Sequence, residues 1–392
     1  MVAGGEPLPR RSHSGYADRN LGFAWLRLVA AFIVITNHSA GLAMYKGASL
    51  VPSSWQFAPG HLALMVVFAM SGYQISGSWQ RDPSWWRFCA RRLLRILPPV
   101  LALVVITVFV IGSIYTTWSL GDYWADKQTW RYLVGTFLVL LLQHDLPGVF
   151  ADNPYPYSVN GSIWTLPMEL VGYGIVLIVG LLLVLRVPRL VVLLPLTVGV
   201  FVLDTLIKAD GGDAGSLIIS LPTGPLVGYM VPFVLGMALY SFREKIPLRR
   251  FPALVLFVAW LLLRTSSFEQ FLLPIMATYC AVVVAHHWPK QLAGSAPWVM
   301  GSYGTYLWGF PVQQMIVAAG VRDPWILVAC GVVAAYVCGV LSWRLVEVPS
   351  ARLRKYLRKP QARKPSSAPA AGEVSQEAAQ RQANRSSGSV PR

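Results

Sequence analysis

The chain has 392 residues, of which 55% are hydrophobic and only 13% charged, and its mean hydropathy is +0.52. This balance excludes an ordinary soluble domain and marks an integral membrane protein. The formal net charge is +16, and residues 351–392 alone hold ten Lys/Arg against two Glu. The rest of the surplus sits in short loops between apolar runs, a positive-inside pattern that argues against a nucleic-acid partner.

Eleven apolar runs follow in order, at roughly 22–42, 58–79, 97–117, 130–143, 162–185, 190–207, 217–241, 252–264, 268–286, 303–320 and 325–346. The first is too long for the core of a signal peptide, so it reads as a retained span. Basic clusters precede it (Arg10, Arg11, Arg19) and recur at Arg81 to Arg95, Arg186/Arg189, Arg243 to Arg250, Lys290 and after Arg344. If all of these face the cytoplasm, an even number of spans separates any two. Three runs lie between Arg95 and Arg186, so one fails to cross, and the run at 130–143 is the shortest of them. The expectation is an all-α integral membrane protein of about ten transmembrane helices, with a re-entrant segment near 130–145. Residues 1–20 form a cytoplasmic segment, 21–350 the membrane domain, and 351–392 a basic, disordered cytoplasmic tail. No further soluble domain is expected, and membrane lipids are the medium of the whole.

The first run carries the most informative pair. Arg27 and His38 are eleven residues apart, which on a helix puts them on one face about 16 Å apart along the axis. Ionisable groups inside a span are costly and mark a functional path. The second cluster is Arg87-Phe-Cys-Ala-Arg91-Arg92-Leu-Leu-Arg95-Ile-Leu-Pro98. Arg92 and Arg95 share a helical face, and guanidinium groups suit bidentate phosphate binding, although a bare charge run at a boundary also anchors topology. The third is Asn160-Gly-Ser-Ile-Trp164-Thr-Leu-Pro167-Met-Glu169, which sets a carboxylate at the edge of an apolar run. Glu169 fits a catalytic group or the structural partner of an arginine equally well. The cysteines, Cys89, Cys280, Cys330 and Cys338, have no metal-like spacing and read as small buried hydrophobes, with no metal site. His61 is a candidate for an acceptor path, and Trp55, Trp164 and Trp308 for sugar stacking. His286/His287 read as interfacial, and Glu347 as a structural partner of Arg344 or a helix end.

Taken in order, Leu26-Arg27 with His38, Ser71-Gly72-Tyr73, Arg91-Arg92-Leu-Leu-Arg95-Ile-Leu-Pro98, Asn160-Gly-Ser-Ile-Trp164-Thr-Leu-Pro-Met-Glu169, Ser302-Tyr303-Gly-Thr-Tyr306-Leu-Trp308 and Trp343-Arg-Leu-Val-Glu347-Val-Pro349 resemble the membrane-bound acyltransferase-3 family. The resemblance implies ten transmembrane helices and transfer of an acyl group, usually acetyl, from an acyl-CoA such as acetyl-CoA to a hydroxyl of a cell-envelope glycan or lipid-linked glycan. Acyl-CoA is then a co-substrate, with no bound cofactor. The protein is expected in the plasma or inner membrane with both termini cytoplasmic. The family's helix-one pair maps onto Arg27 and His38, its Arg-x-x-Arg onto Arg92 and Arg95, and its Trp-to-Glu motif onto Trp164 and Glu169. Ala24 stands where relatives often carry an acidic residue, which removes a local partner for Arg27.

Chemistry then distributes roles. His38 is the expected general base, because an imidazole with a pKa near 6.5 is largely neutral at pH 7. Arg27, Arg92 and Arg95 are expected to hold the donor's phosphates, with Glu169 orienting His38 or the acceptor. Trp164, Asn160, His61 and Ser71 are expected along the acceptor path. A covalent acyl-enzyme on Ser71 or Ser76 is the less favoured route. A transporter or flippase of a glycolipid or small anion is the rival reading, opposed by the lack of internal repetition.

Overall fold

A computed structural model of the protein describes residues 21–52, 58–139, 141–212, 217–218 and 221–357. The N-terminal segment 1–20, Trp55 and the tail from 358 onward lie outside the described residues. All ten runs expected as spans are helical: α1 Leu21–Ala43, α2 Pro59–Arg81, α3 Trp85–Ile106, α6 Thr165–Val184, α7 Arg189–Ala209, α8 Thr223–Ser241, α9 Arg250–Leu263, α10 Glu269–His286, α11 Ser302–Ala318 and α12 Pro324–Ser342. The short helices α4 Leu120–Ala125 and α5 Lys127–Phe137 lie between α3 and α6, and α13 Val348–Leu353 follows α12. The strands among the described residues are β1 Leu217–Ile218 and β2 Leu221–Pro222, an antiparallel pair leading into α8.

Eight of these helices are long and apolar enough to cross a membrane. The other two expected spans are shorter. α9 has 14 residues and α11 has 17, where about 20 are normally needed. α11 is trimmed by two glycines in the left-handed region, Gly301 (φ 88°) before it and Gly320 (φ 99°) after it. Helix α5 has 11 residues, about 16 Å of rise against a hydrocarbon core of roughly 30 Å, so it does not cross.

The helices sort by burial. The apolar windows of α2 and α8 are 67% and 61% buried and that of α7 only 11%, so α2 and α8 are central and α7 lines the lipid side. α2 and α8 pack backbone to backbone: a Cβ on Gly72 would overlap the Phe233 carbonyl, and one on Gly236 the Ala69 carbonyl. Small residues permit such close approach where van der Waals contact is the main force between helices. α1 packs against α2, α10, α11 and α12, which makes the helix carrying Arg27 and His38 an interior one.

The sequence places the arginine cluster just before a span at 97–117. Instead α3 starts at Trp85 and runs through Pro98 and Pro99 into a π-helical turn, Thr107–Gly112, giving a continuous 31-residue helix to Tyr115. Prolines are tolerated inside spans where neighbours compensate the lost backbone bonds. The arginines therefore occupy the first turns of the helix. Arg87 makes a two-pronged bond to Asp82 in the α2–α3 loop (2.9 and 2.6 Å), and Arg91 adds a third contact at 2.5 Å. The Asp82 carboxyl is pulled from its ordinary 3.8 to about 2, chiefly by the Arg87 hydrogen bond and further by Arg91, against the opposing effect of desolvation. Because the folded value is the lower one, this clasp stabilises the fold above the unfolded value and is lost as pH falls through about 2. The expected result for Asp82→Asn is a lower melting temperature at neutral pH. Thermal scans across the acid range should show the gap to wild type closing between pH 3.8 and about 2.

The long segment after α5 folds over the histidine end of the bundle. Its Val149, Phe150, Val159 and Ile163 enter the main core. It is stitched to α11 by amides: Asn153 Nδ2 donates to Gln314 Oε1 (2.7 Å), and Gln314 Nε2 to the carbonyls of Tyr155 and Ser158 (2.9 and 2.7 Å). Asn160 Nδ2 donates to the Leu307 carbonyl at 3.0 Å.

Candidate active site

Two helical rows face each other. On α1, Arg27, Ala30, Ala31 and Val34 line a cavity, and His38 is the next position of that row, one turn beyond Val34. On α2, Leu64, Val67, Phe68 and Ser71 line the same cavity. His61 continues that row past one end, and Gln74 past the other. Gln74 Oε1 accepts from Arg27 Nη2 at 2.5 Å, which fixes the guanidinium at the bottom of the row. Arg95 and Ile96 of α3, Thr165, Leu166 and Glu169 of α6, and Ser302, Tyr303 and Tyr306 of α11 close the walls. The empty volume, mouth included, is about 760 Å³, within the range of small-molecule sites.

The arginine end is a charge cluster. Arg27 lies within electrostatic reach of Arg95, Glu169, Tyr173 and Arg92, and Arg95 of Tyr173, Glu169, Glu347 and Tyr303. Arg95 lines the cavity with no hydrogen bond or ion pair among the described residues. Glu169 accepts a short hydrogen bond from Tyr173, one helical turn on. Among the described residues, the guanidinium groups of Arg27, Arg92 and Arg95 outnumber the carboxylates of Glu169 and Glu347 at this end, an excess of positive charge in a low-dielectric setting that an anion would relieve. Arg92 does not line the cavity. Its Nη2 donates to Ser78 Oγ at 2.8 Å, and its guanidinium lies over the Phe88 and Tyr173 rings at 5.6 and 5.7 Å. It stands behind Tyr173, as a support of the cradle.

At the other end, His38 Nδ1 lies 3.5 Å from Ser162 Oγ, and its ring meets Phe310 edge-on at 5.4 Å between centroids. The surrounding polar groups form one network. Tyr306 donates to the Ser162 carbonyl (2.8 Å) and bonds Thr165 Oγ1 (2.7 Å), while the Asn160 side chain accepts from the Ser162 amide (3.1 Å). Gln313 Nε2 donates to the Ile35 carbonyl and to Ser39 Oγ (3.0 and 2.7 Å), clamping the turn of α1 that carries His38.

Of the roles expected for Glu169, orienting His38 or the acceptor or partnering an arginine, its surroundings are those of the last. Glu169 is seven residues beyond Ser162 and its contacts run to Tyr173 and the arginines, whereas the polar partner of His38 is Ser162. Glu347, expected to satisfy Arg344 or a helix end, closes the π-helical turn Trp343–Glu347, and its charge acts on Arg95 and Tyr303. Of the acceptor-path residues, His61 Nδ1 bonds the Tyr229 hydroxyl at 2.8 Å, and Tyr229 packs against Phe68 and Trp164. His61 and Trp164 thus meet around a tyrosine beside the cavity wall. Asn160 is fully buried and serves the Ser162 turn. Ser71 lines the cavity without a basic partner among the described residues, while Ser76 Oγ donates back to the Gly72 carbonyl (2.8 Å), an arrangement that activates neither serine as a nucleophile. Trp308 is core. His286 bonds Tyr73 at 3.2 Å, a packing role. The four cysteines are free, and the expectation that they are buried is corrected: Cys89, Cys280 and Cys338 are half-buried and Cys330 is exposed on the outward side of its helix.

Sequence reasoning passed over Gln74, Ser162, Tyr173, Tyr303 and Tyr306 as site residues. The Glu169/Tyr173 spacing of four and the Tyr303/Tyr306 spacing of three were the available signals.

Comparison with known proteins converges on one family. A family model described as an acyltransferase domain, of the acyltransferase-3 type, matches residues 20–344. The chain is 27% identical over 334 residues to an O-acetyl transferase of Shigella phage Sf6, covering 83% of this chain and 94% of that protein. It is 26% identical over 388 residues to Nodulation protein 10 of Rhizobium leguminosarum bv. viciae, covering 89% of this chain and 97% of the relative. No solved structure gives a significant match. The helical bundle, the cavity within it and the family match over most of the chain agree: the chain belongs to the acyltransferase-3 family and is an integral membrane acyltransferase.

Proposed function

We propose that the protein is an O-acyltransferase that moves an acyl group, acetyl in the simplest case, from acyl-CoA to a hydroxyl of a cell-envelope glycan or glycolipid. The observation that carries this reading is the cavity, with a positively charged end at Arg27 and Arg95 and a histidine one turn beyond its other end. The phosphates of the donor bind at the arginines, Arg27 and Arg95 directly and Arg92 from behind Tyr173. The pantetheine arm lies along the Ala30/Ala31/Val34 face, where small and apolar side chains leave room. The acyl thioester then reaches His38.

His38 Nε2 takes the proton of the acceptor hydroxyl as its oxygen attacks the thioester carbonyl. The tetrahedral intermediate expels the thiolate, which receives that proton, so no acyl-enzyme is required. Ser162 accepts from Nδ1 and holds the tautomer that leaves Nε2 basic. Glu169 balances the charge of the arginines and keeps them poised for phosphate. Trp164, His61 and Tyr229 receive the acceptor, with Asn160 bracing the turn between them and His38. The arginine end faces the cytoplasm, where acyl-CoA is made, and both termini share that side of the plasma or inner membrane. The name of the phage relative supports O-acetyl transfer, and the basic loops support the orientation.

The test uses purified protein in lipid nanodiscs with acetyl-CoA labelled in the acetyl group and envelope glycans from cells that lack the protein. The expected result is label in glycan, with the mass increment of one acetyl group per modified sugar. Transport of glycolipid across the bilayer without acyl transfer would favour the flippase reading.

A further inference from the structure

Four of the cavity's polar side chains are engaged, Arg27 with Gln74, Glu169 with Tyr173, and Thr165 and Tyr306 with each other, while Arg95, Ser71 and Ser302 line it without a hydrogen bond from the side chain among the described residues. Tyr303 is different. Its hydroxyl is sealed from solvent and has no hydrogen-bond partner among the described residues, although its side chain lines the cavity. An unpaired buried hydroxyl is destabilising, and such groups in native proteins call for an explanation. Helix geometry does not force this one, because Tyr306, a single turn away on the same helix, is fully bonded.

Its position is informative. Tyr303 lies within electrostatic reach of Glu169, Tyr173, Glu347 and Arg95, at the arginine end, and Tyr306, about 4.5 Å further along the axis, leads to Ser162 and His38. The α1 row that lines the cavity between Arg27 and His38 is apolar, Ala30, Ala31 and Val34. A ligand that meets Tyr303 between the arginines and His38 must therefore bring its own polar group to an otherwise apolar stretch. Acyl-CoA has such groups. Its pantetheine arm carries two secondary amides, and the one nearer the phosphates would fall just past Arg95.

We propose that Tyr303 is a donor-positioning residue whose hydroxyl hydrogen-bonds the phosphate-proximal amide of the pantetheine arm. This rests on the acyl-CoA reading above. The amide loses its hydration on entering the cavity, and the phenol, which both donates and accepts, replaces it. Binding of the donor then satisfies a group that the empty site leaves unpaired. The contact selects donors with a full pantetheine arm over short thioesters and sets the depth at which the acyl carbon stops.

The experiment compares wild type and Tyr303→Phe with two donors: acetyl-CoA, and S-acetyl-N-acetylcysteamine, which keeps the thioester and its nearer amide but lacks the phosphates and the second amide. With acetyl-CoA, the donor KM should rise about 3- to 10-fold with kcat nearly unchanged, the loss of one neutral hydrogen bond. With the short donor, kcat/KM should be the same for both proteins. The empty variant should melt no lower than wild type, because the removed hydroxyl had no partner. An equal loss with both donors, or a fall in kcat alone, places Tyr303 at the acyl carbon or in folding and overturns the assignment. A wild-type protein that acetylates acceptor from the short donor but not from acetyl-CoA overturns the donor reading itself, and this proposal with it.

Discussion

His38→Ala lowers kcat by about 10²- to 10⁴-fold with little change in donor KM, the range for losing a positioned general base. Four features lead to this expectation. His38 continues the α1 row that lines the cavity, and its hydrogen-bonding side-chain neighbour among the described residues is Ser162 at 3.5 Å. Phe310 and the Gln313 clamp on Ile35 and Ser39 fix the ring's surroundings. Ser71, the α2 serine that lines the cavity, has no basic partner among the described residues, and on the proposed direct transfer Ser162 holds the His38 ring while the attacking hydroxyl is the acceptor's. His38→Gln preserves the size and one hydrogen bond but cannot accept and release a proton, so it should be nearly as inactive. Steady-state transfer assays on folded, monodisperse protein check this. A His38→Ala variant with normal kcat would remove the base from the mechanism.

Arg27→Gln produces the complementary defect, a donor KM raised by about 10- to 100-fold, with a smaller effect on kcat. A charge-assisted hydrogen bond contributes about 1.5–3 kcal/mol, and each 1.4 kcal/mol is tenfold. Arg27 is held in place by Gln74 at 2.5 Å, so its guanidinium pays little conformational entropy to meet a phosphate. Arg27→Lys should restore only part of the affinity, because an ammonium lacks the planar fork. The same series with dephospho-CoA as a competitive ligand identifies which arginine meets which phosphate. Were Arg27→Gln and His38→Ala to change KM and kcat in the same proportion, the division into a binding end and a chemical end would fail.

The Arg27/His38 face was legible because it needs only one helix. Eleven residues at helical pitch return to the same side, and the structure keeps both groups on the row that faces the cavity. The arginine cluster was legible in part. Its spacing grouped Arg92 with Arg95, but packing decided that Arg95 enters the cavity while Arg92 sits behind Tyr173 and Arg87 and Arg91 are drawn off by Asp82. Asp82 is five and nine residues away across a loop, and only the turn between α2 and α3 brings it back over them.

The carboxylates show the limit. Glu169 and Glu347 are 178 positions apart, yet both act on Arg95. Glu169 was expected to orient His38 or the acceptor, or to partner an arginine, and the sequence could not choose among these because the depth of one helix against another is not written in either run. The π-helical turn Trp343–Glu347 further re-aims the second carboxylate, since an extra residue per turn shifts every later side chain around the axis.

By itself the sequence determined the membrane class, the order of the ten helical runs, the basic loops and the chemical inventory of the site. These follow from composition, local period and charge, which act within one helix or one loop. Only the tertiary structure decided which inventory members come together: Ser162 with His38, Gln74 with Arg27, Glu347 within electrostatic reach of Arg95, and the Tyr303 hydroxyl without a hydrogen-bond partner among the described residues. The reason is physical. Between apolar helices in lipid, relative depth and rotation are set by close packing, as at Gly72 and Gly236, and by a few polar contacts across long stretches of chain, not by the hydrophobic period of any single segment.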